Sequence, residues 1–379
     1  MMDLERYKDY EYELMITDVR TGETTEYSKH FIECRTRSEL MTGAPNTLEV
    51  MLLDDGEKSI FITKGSALSF VVNGEPWFFG YVTNAGYDKT KAYRIRATSQ
   101  KKWLRSTQTR YIASDDPDYP DVTAADFFAR VCGEIEQMNH RIDASPRYYI
   151  PSYWAENMTL WEMIHRLVKK TNIAEANFGL NKYVVVEDYD QLVFTELRNL
   201  FTPVILKDGQ YVMEYQFETS IEDNVYTKIV LERRNEEEGV IDYWEFHNTQ
   251  RQSEWGIIAR TIVLPDQIAE TLAEEKVLIQ KIGEDYLEYY SMEDNRLSLV
   301  AFGDLRVKGA GWGIHFDNER LQLGGNFITQ SVTHVFTNNM HTMDLELIII
   351  DPAILSDRET RPFQEWPQNR TVQGQRPLS

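Results

Sequence analysis

From Tyr12 to about Ser99 apolar and polar residues alternate in short runs separated by turn chemistry, as in YELMITDV, TLEVMLL, LSFVVNGEPWFFGYV and KAYRIRAT. Tyr93, Ile95 and Ala97 fall on one face and Arg94 and Arg96 on the other, which is what a half-buried strand requires. Turns are expected at Thr21–Gly22 and at Asp54–Gly56. The stretch Ser114 to Val122 concentrates Asp and Pro and reads as a linker. A 3.6-residue period follows it. Phe127, Phe128, Val131, Ile135 and Met138 make one helical stripe capped by Asp121 or Thr123, and Leu160, Ile164, Leu167 and Val168 make a second, capped by Asn157 or Thr159 and ending near Asn172. YVVVEDYDQLVFTEL then alternates about Asp188–Asp190 as a β-hairpin.

Strand character returns in QYVMEYQFE, VYTKIVLERR and GVIDYWEFHN. One long helix, expected over 265–290 with Pro265 in its first turn, carries Ile268, Leu272, Ile279, Ile282 and Tyr286 on a common stripe. That stripe either closes the second β core, the plainer reading, or packs against another subunit. NRLSLVAFGDLRVKGAGWGIHF, GGNFITQSVTHVF and HTMDLELIII are again strands, with Asn338 and Asn339 suited to a tight turn. After Asp351 four prolines and little periodicity indicate an extended arm. The pattern therefore predicts a β-rich α+β chain. A first β unit spans 1–111, a small α/β domain 112–200, a second β unit with the long helix 201–350, and the arm 351–379.

Composition narrows the function more than the fold. Forty basic against 61 acidic residues in 379 give a net charge of −21, which opposes counterion-release binding of nucleic acid or anionic lipid. With no apolar leader and no run near membrane-spanning length, the chain reads as soluble. Two cysteines, Cys34 and Cys132, without a CxxC, point to buried thiols in a reducing cytoplasm rather than disulfides or structural zinc.

Candidate chemistry is sparse. Gly309, Gly311 and Gly313 precede a strand instead of the helix a phosphate cradle needs, so they read as a shaped turn. Asp115, Asp116, Asp118 and Asp121 are broken by prolines and lack calcium-loop spacing. If Asn338 and Asn339 form the turn, Phe336 pairs with His341 and His334 lies diagonally on the same face. Two imidazoles could then share a metal, but without a predictable third ligand two polar surface histidines are the plainer reading. The mixed charges from Glu232 to Glu238 read as a solvated hairpin loop, and no nucleophile or metalloenzyme motif is present.

Several segments, in this order, resemble the XkdQ/YqbQ-type baseplate hub proteins of contractile phage tails and tail-like bacteriocins: TLWEMIHRLVKKTNI with its hairpin, IEDNVYTKIVL, WGIIARTIVL before the long helix, GDLRVKGAGWGIHF and THVFTNNMHTMDLEL. The resemblance implies that Gly303, Asp304, Gly309, Gly311, Gly313, His334, Phe336, Asn338, His341 and Asp344 are structural signature positions. It further implies two tube-like antiparallel β-barrels flanking the α/β domain, and three chains forming a pseudo-sixfold ring between tail tube and central spike. Tube or tube-initiator proteins, the spike, other baseplate proteins and the tape measure would be partners, with no catalytic residue, cofactor, specific nucleic-acid binding or membrane insertion. Assembly would occur in the host cytoplasm before residence in the baseplate. If the barrels line a channel, net negative charge would discourage adhesion of acidic cargo. A tail-borne wall hydrolase, or a peptidoglycan-binding module using Trp154 and Trp161, are the competing readings.

Overall fold

The computed structural model describes residues 10–349 apart from 54–59, 88–91, 113–114, 117–118, 121, 151–152, 176, 178, 222–224, 236–239, 265–271, 292–293, 321–322 and 339. The Asp54–Gly56 turn, Pro265, Ile268, Asn339, Glu236–Glu238 and the arm 351–379 thus lie outside the described residues.

The first β unit holds β1 (Tyr12–Thr17), β2 (Thr24–Glu26), β3 (Phe31–Glu39), β4 (Thr47–Leu53), β5 (Ala67–Val72), β6 (Glu75–Tyr87) and β7 (Ala92–Thr98). The predicted alternation holds: Tyr93, Ile95 and Ala97 are buried while Arg94 and Arg96 are exposed. Leu14, Leu48, Val50, Leu52, Leu68 and Phe70 meet them in one core.

The middle region contains β8 (Thr107–Ile112), β9 (Asp115–Asp116), β10 (Tyr119–Pro120), α1 (Ala124–Gly133), β11 (Asn139–Ile142), β12 (Tyr153–Thr159), α2 (Leu160–Ala174), β13 (Tyr183–Asp188) and β14 (Gln191–Glu196). Both helices start on capping boxes, Thr123 with Asp126 and Thr159 with Glu162, each satisfying two backbone N–H groups that helix geometry leaves unpaired. α1 stops at Gly133, so Ile135 and Met138 follow the helix instead of continuing it. Within the expected linker, β9 and β10 pair antiparallel, Tyr119 opposite Asp116 and Pro120 opposite Asp115. β11 adds to β14 in parallel, a pairing with no local sequence signal.

The second β unit comprises β15 (Phe201–Lys207), β16 (Val212–Ser220), β20 (Asp294–Phe302), β21 (Gly313–Asn318), β22 (Leu323–Thr337) and β23 (His341–Ile349). Between β16 and β20 the chain inserts β17 (Lys228–Asn235), β18 (Val240–His247), α3 (Thr249–Trp255), β19 (Ala259–Val263) and α4 (Leu272–Tyr290). β17 pairs with β18 antiparallel and with β19 in parallel, leaving one apolar face of Ile229, Leu231, Phe246 and Ile262. Ile279 and Ile282 of α4 cover it, both buried, with Tyr286 partly buried beside them. The helix therefore closes this inserted sheet and not the second β core, because the inserted sheet has its own apolar face to cover. Gly283 permits the approach: a Cβ there would stand 2.1 Å from the Phe246 ring.

The two β units share one strand order. The first reads β1-β5-β6-β7-β4-β3 and the second β15-β21-β22-β23-β20-β16. Register shifts recur at matching places, between Val82 and Asn84 in β6 and between Thr329 and Ser331 in β22, then between Phe31 and Glu33 in β3 and between Val212 and Glu214 in β16. Bulges fix register, so their recurrence aligns the units residue by residue. They differ at one pairing: β1 runs antiparallel to β5, whereas β15 runs parallel to β21. The units join into one 13-stranded sheet through β22 and β3, and no pairing among the described residues closes either unit into a hydrogen-bonded barrel.

Candidate functional site

The seam between the units carries most of the signature positions. β22 is long enough to serve both: Leu323–Ile328 pair with β21, and Ser331–Thr337 pair antiparallel with β3, Thr333 opposite Arg37 and Val335 opposite Arg35. Its far end places Phe336 in the core of the first unit, fully buried among Tyr12, Phe70 and Trp77.

The predicted register is observed, with Phe336 opposite His341. His334 and His341 are not surface residues, however. They are 1 % and 2 % exposed, and His334 Nδ1 lies 2.9 Å from His341 Nε2. Strand alternation puts both on the core face, and Trp77 covers them edge-on. Burial disfavours the imidazolium, holding His334 well below the ordinary range and pushing His341 down to about 3, with the neighbouring His341 adding to the effect on His334. Both are neutral, so one ring nitrogen can donate to the other. Among the described residues no group of three His, Cys, Asp or Glu side chains could hold a metal ion.

The remaining signature residues shape the approach to this seam. Gly303 N–H donates to His341 O, and a Cβ on Gly303 would stand 2.0 Å from the His341 ring. Asp304 holds Arg306 through its carboxylate. In the Gly309–Gly313 turn, Ala310 N–H donates to Ser38 Oγ of β3, Gly311 adopts φ +98° and donates to Thr329 O, and Thr329 Oγ1 donates to Gly309 O. Gly313 lies against Phe201, where a Cβ would meet the ring at 2.3 Å. Asn338 is exposed at the tip, where Thr337 N–H donates to Met340 O, and Asp344 is exposed opposite Thr333.

Pattern reading missed a second junction. The 3-10 helix Gln100–Arg105 turns Gln100 inward to donate to Asp190 O and to accept from Asn139 N–H, tying the first unit to the middle region. Lys101 is buried with its ammonium 3.8 Å above the Trp161 ring, and burial lowers its pKa while desolvation raises that of half-buried Glu187 nearby. Glu187 accepts from Asn46 N–H, joining β13 to the first unit. Trp161 is only 3 % exposed, which removes it as a sugar-stacking platform. A basic run KxW beside a strand would be the sole cue to this junction.

The opposite face of the joined sheet is polar and open. Across it run Glu214, Gln216 and Glu218 of β16, Asp344 and Glu346 of β23, Thr333 and Val335 of β22, Glu33, Arg35 and Arg37 of β3, Glu49 of β4, and Arg94 and Arg96 of β7. Arg35 pairs with Glu33 and Arg37 with Glu39 along β3. Where Arg96, Lys102, Trp103 and Arg105 surround Thr83 and Asn84, the face forms a shallow groove of about 600 Å³.

A family model described as YqbQ-like matches residues 36–348. The chain belongs to the YqbQ-like family. No curated protein matches it. Solved structures share its fold at low identity. A tail protein from Neisseria meningitidis MC58 aligns at TM-score 0.65 and 11% identity over 89% of this chain and 96% of that one. A 43 kDa tail protein of prophage MuSo2 from Shewanella oneidensis aligns at TM-score 0.63 and 15% identity over 90% and 99%. An E. coli type VI secretion component, described as structurally similar to the T4 tail proteins gp27 and gp5, aligns at 0.54 and 10% over 89% and 77%. No helix among the described residues is long and apolar enough to cross a membrane.

Proposed function

We propose that this YqbQ-like chain is a non-enzymatic structural hub of a contractile tail baseplate, three copies forming a pseudo-sixfold ring between tail tube and central spike. Family membership and the tail-protein neighbours support a structural role in a tail. The observation that carries the finer reading is the repeated six-strand order with matching bulges, since two equivalent segments per chain let three chains present six. Glycines and histidines at the seam act as packing devices in this reading, in keeping with a protein that works through complementary surfaces and not through a reacting centre. Its partners are tube or tube-initiator proteins, the spike and other baseplate proteins, met during assembly in the host cytoplasm. The test is the mass of the purified full chain in solution, alone and with its neighbouring tail proteins. Three chain masses are expected, and a chain that stays at 44.4 kDa in both conditions overturns the ring.

A further inference from the structure

The junction of Lys101 and Glu187 encloses charge without enough hydrogen bonds to hold it. Lys101 is 3% exposed, and its ammonium, seated over the Trp161 ring, donates no hydrogen bond to any described residue. A ring face offsets part of the lost hydration, but the three N–H groups of an ammonium still need oxygen acceptors. Glu187 is half satisfied: Oε1 accepts from Asn46 N–H at 3.0 Å, while Oε2 is buried and has no hydrogen-bond partner among the described residues. Each side chain feels the charge of the other, yet no ion pair among the described residues joins them. Glu39 also acts on Lys101 from a distance, and its carboxylate is held by Arg37. Leaving such groups buried and unjoined is costly, so the junction needs a further partner.

Both residues line a small cavity together with Ser38, Glu39, Asn46 and Ala310. It leaves about 10 Å³ for the centre of a guest, which is the room one water molecule takes. Ser38 Oγ accepts from Ala310 N–H at 2.8 Å, so its own hydroxyl proton is left to donate. The geometry points to a single water bound in this cavity, accepting from Lys101 Nζ and Ser38 Oγ and donating to Glu187 Oε2. Three partners are what a buried water commonly has. The walls select for it: an anion would meet Glu39 and Glu187, a metal cation would meet Lys101, and a larger molecule would not enter. Desolvation lowers the pKa of Lys101 and raises that of Glu187, and a shared water relieves both without bringing the side chains into contact. Its ligands come from separate parts of the chain. Ser38 belongs to β3 and is held by the Gly309–Gly313 turn of the second unit, Lys101 to the 3-10 helix after the first unit, and Glu187 to β13 of the middle region. The water therefore locks the middle region onto the seam between the β units, whatever the assembly state of the chain.

A crystal structure of the full chain, at a resolution that shows ordered water, should place one water within hydrogen-bond distance of Lys101 Nζ, Ser38 Oγ and Glu187 Oε2. A direct contact between the ammonium and the carboxylate, or a cavity without that water, overturns the site. The lock is read separately, by protease cleavage of the middle region in the folded chain. Lys101→Met and Glu187→Gln each leave the other group charged and uncompensated, and each should raise cleavage about tenfold or more. The double variant removes both charges and should be cleaved more slowly than either single variant. Single variants cleaved like wild type, or a double variant cleaved faster than both, would mean that the water fills space without joining the charges. If a variant does not fold, the crystal structure of the wild-type chain still decides the site.

Discussion

At equivalent outward positions the first β unit presents Arg35, Arg37, Arg94 and Arg96, and the second presents Gln216, Glu218, Asp344 and Glu346. The backbone plan is the same, so the contrast lies entirely in side chains that the fold does not need. Core positions keep their apolar character in both units, because burial constrains them; Ile95 and Leu345 are both buried. Surface positions are free to diverge, and here they diverge in sign. Two copies of one module can thereby become unlike partners that attract each other, which a uniformly acidic pair would not do.

The largest consequence of this comparison concerns the strand ends. Phe336 lies fully buried where β22 enters the first unit, whereas Tyr87, which ends β6 at the position of His334, is 48% exposed. Phe336→Ala should destabilise the chain by about 3–5 kcal/mol through lost burial and a cavity. Tyr87→Ala should have a far smaller effect on the single chain. Denaturant unfolding of both variants checks the contrast, and equal losses would mean that β6 is packed as deeply as β22.

Acid should expose the next difference. His341 titrates at about 3 in the folded chain, and an unfolded histidine titrates near 6.5. Below 6.5 the unfolded state takes up a proton that the folded state refuses, so this stability is present above about pH 6.5 and is lost as pH falls toward 3. At pH 4.5 the loss is about 2–3 kcal/mol for this one group, from the two units separating that pH from 6.5. Asp304, which faces the pair, favours the protonated form of His334 but is outweighed by burial. His341→Leu should make the stability profile less steep between pH 6.5 and 4.5, where buried His334 and the carboxylates still act. An unchanged slope would place the imidazole in water.

Within β6 itself a smaller contrast separates two glycines. A Cβ on Gly80 would meet Thr98 O at 2.5 Å, while one on Gly86 would meet nothing within 4 Å. Gly80→Ala should cost about 1–3 kcal/mol, because backbone must shift. Gly86→Ala should leave the single chain unchanged or slightly stabilised. Thermal melts of the two variants at matched concentration separate these outcomes.

How far the residues announced this arrangement depends on whether the signal was local. Period-two alternation revealed the buried face of Tyr93, Ile95 and Ala97, and capping chemistry narrowed the helix starts to Asp121 or Thr123 and to Asn157 or Thr159, of which Thr123 and Thr159 are the caps, because each signal depends on neighbours a few residues away. The hairpin turn at Asn338 fixed the pairing of Phe336 with His341 for the same reason. What escaped was long-range. Burial of the two histidines depends on Trp77, which belongs to the other β unit, and the assignment of α4 depends on a parallel pairing of β17 with β19 that no turn encodes. The duplicated strand order was hidden because the first unit joins β3 to β4 by a short loop, whereas the second puts a whole sheet and two helices between β16 and β20.

The smallest effect belongs to the charges that make the two units unlike. Arg96 Nε lies 3.6 Å from Glu49 Oε1, with both side chains more than half exposed. In water such a pair gains little, because solvent screens it and both side chains lose freedom to hold it. Glu49→Gln should therefore leave unfolding of the single chain within the error of a denaturation curve. Its effect should emerge only in assembly, where loss of the Glu49 charge leaves Arg96 to act on a neighbouring acidic surface. Sedimentation of wild type and Glu49→Gln at low and at high salt would show this as slightly tighter association at low salt alone. Weaker association at low salt would mean that Glu49 itself meets a cation of the neighbouring chain, and the basic sector would then end at β7 without reaching β4.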